Sequence, residues 1–167
     1  MTNQRFFERL DAMVRWTGVP AFAEGRPRRR PLRGPATLAL GLAAIGFALV
    51  LASPRQALLG YVILIVGFSA GNFMRIFGPL KPIGSTERVD EWDVATRARA
   101  IAFTYAVVSV TVPLGLILLG AWANFAGWTM PRMSEVLTAT GFLLMTIVST
   151  MPTAHASWTV RWDREDE

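Results

Sequence analysis

Apolar residues in this chain come in four long runs, and the widest polar break falls in the middle. The runs cover residues 36–53, 57–74, 100–122 and 136–157, and none contains Asp, Glu, Lys or Arg. A helix needs roughly 20 apolar residues to cross about 30 Å of hydrocarbon, and each run is near that length. Only Pro54, Arg55 and Gln56 separate the first run from the second, so the two turn tightly back on each other. The pattern predicts an all-α, polytopic membrane protein: four transmembrane helices in two hairpins, forming one domain over residues 35–160.

Ahead of the first span the pattern changes. In residues 2–17, Phe6, Phe7, Leu10, Met13, Val14 and Thr17 recur at helical spacing, with Arg5, Glu8, Arg9 and Asp11 off that face. This predicts an amphipathic helix too short and too charged to span, lying on the membrane surface. Phe6, Phe7 and Leu10 are its candidate lipid or partner contacts. A Pro- and Gly-rich linker follows to residue 35, and its Arg26, Arg28, Arg29, Arg30 and Arg33 form a basic patch. Such a patch suits anionic headgroups at a cytoplasmic boundary, or an acidic strip on a partner. Residues 1–34 are thus a cytoplasmic segment, and residues 161–167 an acidic cytoplasmic tail.

Small residues crowd the first two spans. Gly41 and Gly46 lie in the first, and Gly67 and Gly71 form a GxxxG motif in the second. In lipid, a small-sided face lets two helix backbones approach closely. The face serves packing between the protein's own first two spans, or docking of another subunit's helix.

In the central break, Asp90 is placed to start a helix, with Glu91 and Asp93 in its first turn where the helix dipole favours acids. Asp93 and Arg97 stand four apart in the order that favours an ion pair. Arg97 and Arg99 precede the apolar boundary, so one continuous helix is expected from about Asp90 through the third span. The sequence Asp90-Glu91, then Arg97, Arg99-Ala100, Ala102-Phe103 and Tyr105, entering a membrane helix, resembles a loop recurring in predicted bacterial membrane proteins of unknown function. Those proteins are similar in having four spans and short acidic tails. The resemblance implies a small four-span membrane protein and no particular activity.

Composition agrees with the pattern. Hydrophobic residues make up 52% and charged residues 17%, against roughly 25% charged in an average soluble protein. The net charge is +5. All of that excess falls in residues 1–33, where eight Arg face Glu8, Asp11 and Glu24. A basic segment just before a span reads as an orientation signal, so no nucleic-acid partner is expected. By the same rule both termini and the central loop are cytoplasmic, since Arg55 and Arg132 are the basic residues of the opposite side. The 16 Arg to one Lys point to a GC-rich coding sequence, hence a bacterial inner membrane.

Candidate chemistry is sparse. Cysteine is absent and there is one His. His155, near the end of the fourth span, is the candidate cofactor-binding residue, as an axial ligand to a haem or chlorophyll-type pigment. An interfacial His bonded locally is the plainer account, and no cofactor is expected. The acids of the central loop and of the tail lack the glycine-turn spacing of a calcium loop. No phosphate-binding loop, dinucleotide fingerprint, nucleophile elbow or zinc motif occurs, so no catalysis is expected. With no ionisable group inside the spans, proton-coupled transport is disfavoured. The expectation is a non-catalytic accessory or scaffold subunit of a larger membrane complex, respiratory, photosynthetic or similar, contacting lipids and other membrane subunits. A small oligomeric transporter or channel is the alternative, with Pro113 and Pro152 as bends and Ser109, Thr111, Thr146 and Ser149 lining a path. A pigment- or haem-binding subunit using His155 is a second.

Overall fold

The structure, a computed structural model, describes residues 31–80 and 89–159. The surface helix expected at 2–17, most of the basic linker, residues 81–88 and the acidic tail lie outside the described residues.

Four α-helices account for nearly everything described: α1 (Arg33–Ala52), α2 (Ala57–Phe77), α3 (Glu91–Phe125) and α4 (Met130–Thr159). No strand occurs among the described residues. All four helices are long and apolar enough to cross a membrane. Each outruns the apolar core that marks it. Arg33, expected in the linker, is the first residue of α1. Arg132 and Glu135, expected in a loop, lie in the first turns of α4.

The ends of the helices have identifiable causes. A 3-10 turn, Pro54–Gln56, joins α1 to α2, with the Ser53 side chain accepting from the Arg55 N–H. Asp90 caps α3: its carboxylate accepts from the Asp93 N–H at 2.8 Å, and the Asp93 carboxylate accepts from the Asp90 N–H at 3.2 Å. This reciprocal capping box satisfies two donors that the first turn would leave open. At the other end of α3, Gly127 has φ of +60°. The Trp128 N–H reaches back to the Ala123 carbonyl at 3.0 Å and the Gly127 N–H to that of Asn124 at 3.3 Å. These two bonds make the glycine-terminated stop that a side chain with a β-carbon rarely permits.

Helices α1, α2 and α4 pack on one another, and α3 packs chiefly against α4. The buried positions of α1 are Ala36, Ala39, Ala43, Gly46 and Val50, and those of α2 are Ala57, Gly60, Leu64, Gly67 and Gly71. Both sets advance in alternating steps of three and four residues. That is the seam of a left-handed supercoil, and here it is filled with small residues so the backbones nearly touch. The seam of α4 is hydroxylated: Thr146, Thr150, Thr153 and Ser157 are all buried.

Contacts define two ends of the bundle. At the open end, the Ser157 hydroxyl accepts from the Leu32 N–H at 3.1 Å, tying the start of α1 to the end of α4. At the turn end lie the α1–α2 turn, Trp128 and Arg132. Helix α3 packs on α4 alone and makes little contact with α1 and α2. Its buried residues are Ala100 and Thr104 near one end and Leu119 and Ala123 near the other. Only 6% of its apolar window is buried, against 28% for each other helix.

Candidate functional site

The packing of α1 on α2 depends on what glycine lacks. A β-carbon on Gly46 would lie 2.6 Å from the Gly60 carbonyl oxygen and the Leu64 nitrogen. One on Gly67 would lie 2.8 Å from the Ala39 carbonyl oxygen and the Ala43 nitrogen. Gly71, four residues on, faces a different helix: its α-carbon sits beneath the Thr150 side chain of α4. The two ends of the GxxxG motif therefore serve two neighbours within this chain. Gly41 belongs to neither contact, since a β-carbon there would meet nothing within 4 Å. Gly60 carries as much of the seam as Gly46. It escapes a search for GxxxG, although the alternation of three and four residues through Ala57, Gly60, Leu64 and Gly67 marks it.

Most hydroxyls offered for a polar path are turned inward on their own helices. Thr111 donates to the Val107 carbonyl, Thr146 to that of Phe142 and Ser149 to that of Thr146, at 2.8–3.2 Å. Thr104 and Thr140 do the same. Such a bond satisfies the hydroxyl in an apolar surrounding and removes it from solute traffic. Ser109 is exposed on α3. Pro113 has no N–H to give the Ser109 carbonyl, so one polar group on the outer side of α3 loses its helical donor.

His155 stacks on Phe103 of α3, with ring centroids 4.5 Å apart and planes at 27°. Its Nδ1 is buried without a hydrogen-bond partner. One face of the His155 ring is thus covered by Phe103. No three His, Cys, Asp or Glu side chains among the described residues converge as metal ligands would.

Two arginines fasten the ends of α1. At the open end, Arg33 Nε donates to the Ser157 carbonyl at 2.7 Å, and its guanidinium lies 5.3 Å from the Trp158 ring centre. At the turn end, Arg132 Nη2 donates to the carbonyls of Val50 at 2.5 Å and Leu51 at 3.0 Å. Its Nη1 pairs with Glu135 at 2.5 Å, and the guanidinium lies 5.6 Å from the Trp128 ring centre. Helix ends leave carbonyls without intrahelical donors, and the dipole there is negative, so a cation is doubly suited. The Tyr61 hydroxyl donates to the Glu135 backbone carbonyl at 2.5 Å, bringing α2 into the same cluster. Arg132 was legible in the sequence only as one of two basic residues on its side of the membrane; apart from Glu135, its partners are 81 and 82 residues away.

The remaining sequence-singled residues divide by position. Asp90, Glu91, Asp93, Arg97 and Arg99 sit at the start of α3, where Asp90 and Asp93 form the cap. Phe6, Phe7, Leu10, Arg26, Arg28, Arg29 and Arg30 lie outside the described residues.

Three cavities border α3 or its turn into α4. The largest, about 1050 Å³, lies at the turn end among Leu51, Trp122, Trp128, Arg132 and Glu135. One of about 400 Å³, walled by Phe47, Leu51, Leu119, Leu143 and Leu144, separates α3 from α1 and α4. One of about 340 Å³ lies toward the open end between α2, α3 and α4, with Arg75 and Arg97 on its lining. No protein-family model, curated protein or solved structure matches this chain.

Proposed function

We propose that the protein is a non-catalytic accessory or scaffold subunit of a larger membrane assembly, with α3 as its docking helix. The observation that carries this reading is the unequal use of the four helices. Three close on one another through glycine, alanine and threonine, with α1 and α2 backbone against backbone. The fourth leaves almost all of its apolar window outside. In lipid an exposed apolar helix is not strained, because hydrocarbon is as apolar as leucine. What argues for a protein neighbour is the polar content of that exposed side. Ser109 and the carbonyl that Pro113 leaves unserved lie on it, and both are better satisfied by another helix than by acyl chains.

The same packing weighs against the channel alternative. A path between α1, α2 and α4 would have to pass where added β-carbons already collide, and the Thr146, Ser149 and Ser157 hydroxyls of α4 bond to their own backbone. The pigment reading has less support, because Phe103 already covers one face of the His155 ring.

Placement follows the charge pattern. The open end, with Arg33, Arg75, Arg97 and Arg99, faces the cytoplasm of a bacterium, and the turn end faces away from it. The chain enters the membrane as two hairpins, and the amphipathic segment 2–17 rests on the cytoplasmic surface beside them. Partners are lipids and the membrane helices of other subunits.

A photo-cross-linking residue at Ile117, which is 68% exposed on α3, tests the docking helix in intact membranes. The expected product is a discrete adduct with a different polypeptide. Adducts with lipid or with a second copy of this chain alone would overturn the reading.

A further inference from the structure

We propose that the two adjoining cavities at the turn end hold one zwitterionic phospholipid, its acyl tail between α3 and the α1–α4 pair and its ammonium at Glu135. Ser109, Val110, Pro113 and Ile117, on which the docking of α3 rests, line neither cavity.

The cavities adjoin because Leu51 of α1 and Trp122 of α3 line both. The inner one exists because α3 buries no residue between Thr104 and Leu119. Its walls are Phe47, Leu116, Leu143, Leu144 and Ile147, and its Thr111 and Thr140 hydroxyls already donate to their own helices. It therefore asks for hydrocarbon. From Thr111 to Trp122 it follows α3 for about 16 Å, close to the hydrocarbon depth of one leaflet, half of about 30 Å. From Arg132 to Ile147 the two cavities together follow α4 for about 22 Å, close to one leaflet with its headgroup region, half of about 40–45 Å. A further helix does not fit: at about 10 Å across it would need about 1,200 Å³ over 16 Å of length, and the inner cavity holds about 400 Å³. Both loops of the turn end, 53–56 and 126–129, are described in full, and the segments outside the described residues join the chain at the other end of the bundle.

The outer cavity selects the head. Its charged lining residues are Arg132 and Glu135, which pair with each other, so the lining carries no net charge. Arg132 is further committed to the Val50 and Leu51 carbonyls. An anionic head would find that cation already matched and a carboxylate beside it. A zwitterionic head preserves the balance. Glu135 gives Oε2 to Arg132 and keeps Oε1 as a second acceptor, and its side chain is 30% exposed against 11% for Arg132. An ammonium at Oε1 also has the exposed Trp122 ring in the same lining, and an indole face attracts cations. Arg55, beside Pro54 of the lining, is exposed on the α1–α2 turn and lies outside the cavity; the phosphate of the same head has that cation on its water side. A soluble phosphate ester of an amino alcohol would use the mouth and leave the inner cavity unfilled, so the lipid is the better match.

Native mass spectrometry of the full chain, released from detergent after titration with phosphatidylethanolamine or phosphatidylglycerol of the same acyl chains, reads the site directly. The expected result is one phosphatidylethanolamine retained in preference to phosphatidylglycerol. Glu135→Gln, whose amide oxygen still accepts from Arg132, should cut that preference about fivefold, the effect of one charge near a membrane surface. Leu144→Trp, which fills the inner cavity and leaves the mouth intact, should expel either lipid. Leu58→Trp, at a position 79% exposed on α2 and lining neither cavity, should retain the lipid as the parent does. Equal retention of the two lipids, an unaltered preference in Glu135→Gln, the same retention in both tryptophan variants, or full displacement by millimolar phosphoethanolamine would each overturn the proposal. The last of these would mark a headgroup site with no use for the tail.

Discussion

Gly46 and Gly60 meet backbone to backbone across the α1–α2 seam: a β-carbon on either would lie 2.6–2.7 Å from the carbonyl oxygen of the other. No rotamer change relieves that collision, because the obstructing atoms are main chain. Gly46→Leu or Gly60→Leu should therefore force the helices apart and destabilise the protein by about 1–3 kcal/mol or more. Gly41→Leu, on the open side of the same helix, should change stability by less than about 0.5 kcal/mol. Thermal unfolding in mild detergent, followed by circular dichroism, separates the two cases; equal loss at all three sites would refute the seam.

Removing the Arg132 guanidinium should loosen the turn end as a unit. Arg132→Gln strands the last carbonyls of α1 and leaves Glu135 without its cation, at a cost of about 2 kcal/mol. Glu135→Gln should cost less, since an amide oxygen still accepts from Arg132 and the Glu135 backbone carbonyl still receives Tyr61. Melting temperatures that rank the two variants the other way would contradict the cap.

Thr150 offers a prediction of the opposite sign. Its hydroxyl oxygen is buried above Gly71 and has no hydrogen-bond partner. Thr150→Val keeps the shape and removes an unsatisfied polar group, so the variant should match or exceed the parent by up to about 1 kcal/mol. A melting temperature lowered by several degrees would mean that the hydroxyl is bonded in the membrane.

The four spans were legible because long uncharged runs admit few other structures, and the start of α3 was legible because Asp90, Glu91 and Asp93 spell a cap. The helix lengths were not, since backbone hydrogen bonding carries α4 back through Arg132 to Met130, where hydropathy sees a polar loop. GxxxG drew attention to Gly67 and Gly71 but implied one face; only the alternating three- and four-residue spacing, which also passes through Gly60, separates the α1 contact from the α4 contact. Gly41 looked equivalent to Gly46 by composition, and its position off that spacing distinguishes it. The Arg132 cluster had little local signal: Glu135 stands three residues on, but the other acceptors are main-chain carbonyls on a distant helix. His155 was singled out as the sole histidine, and its stacking on Phe103 depends on how α3 lies against α4, which no one-dimensional pattern records.

Purification of the tagged full chain from its native membrane in a gentle detergent, with mass and composition of the particle measured on the same sample, tests the subunit assignment most directly. The account predicts a particle larger than the chain and its copies, containing at least one other membrane protein in fixed ratio and dissociating when Ile117 or Val110 of α3 is replaced by Arg. A lone monomer or homo-oligomer, unaltered by those substitutions, would contradict it.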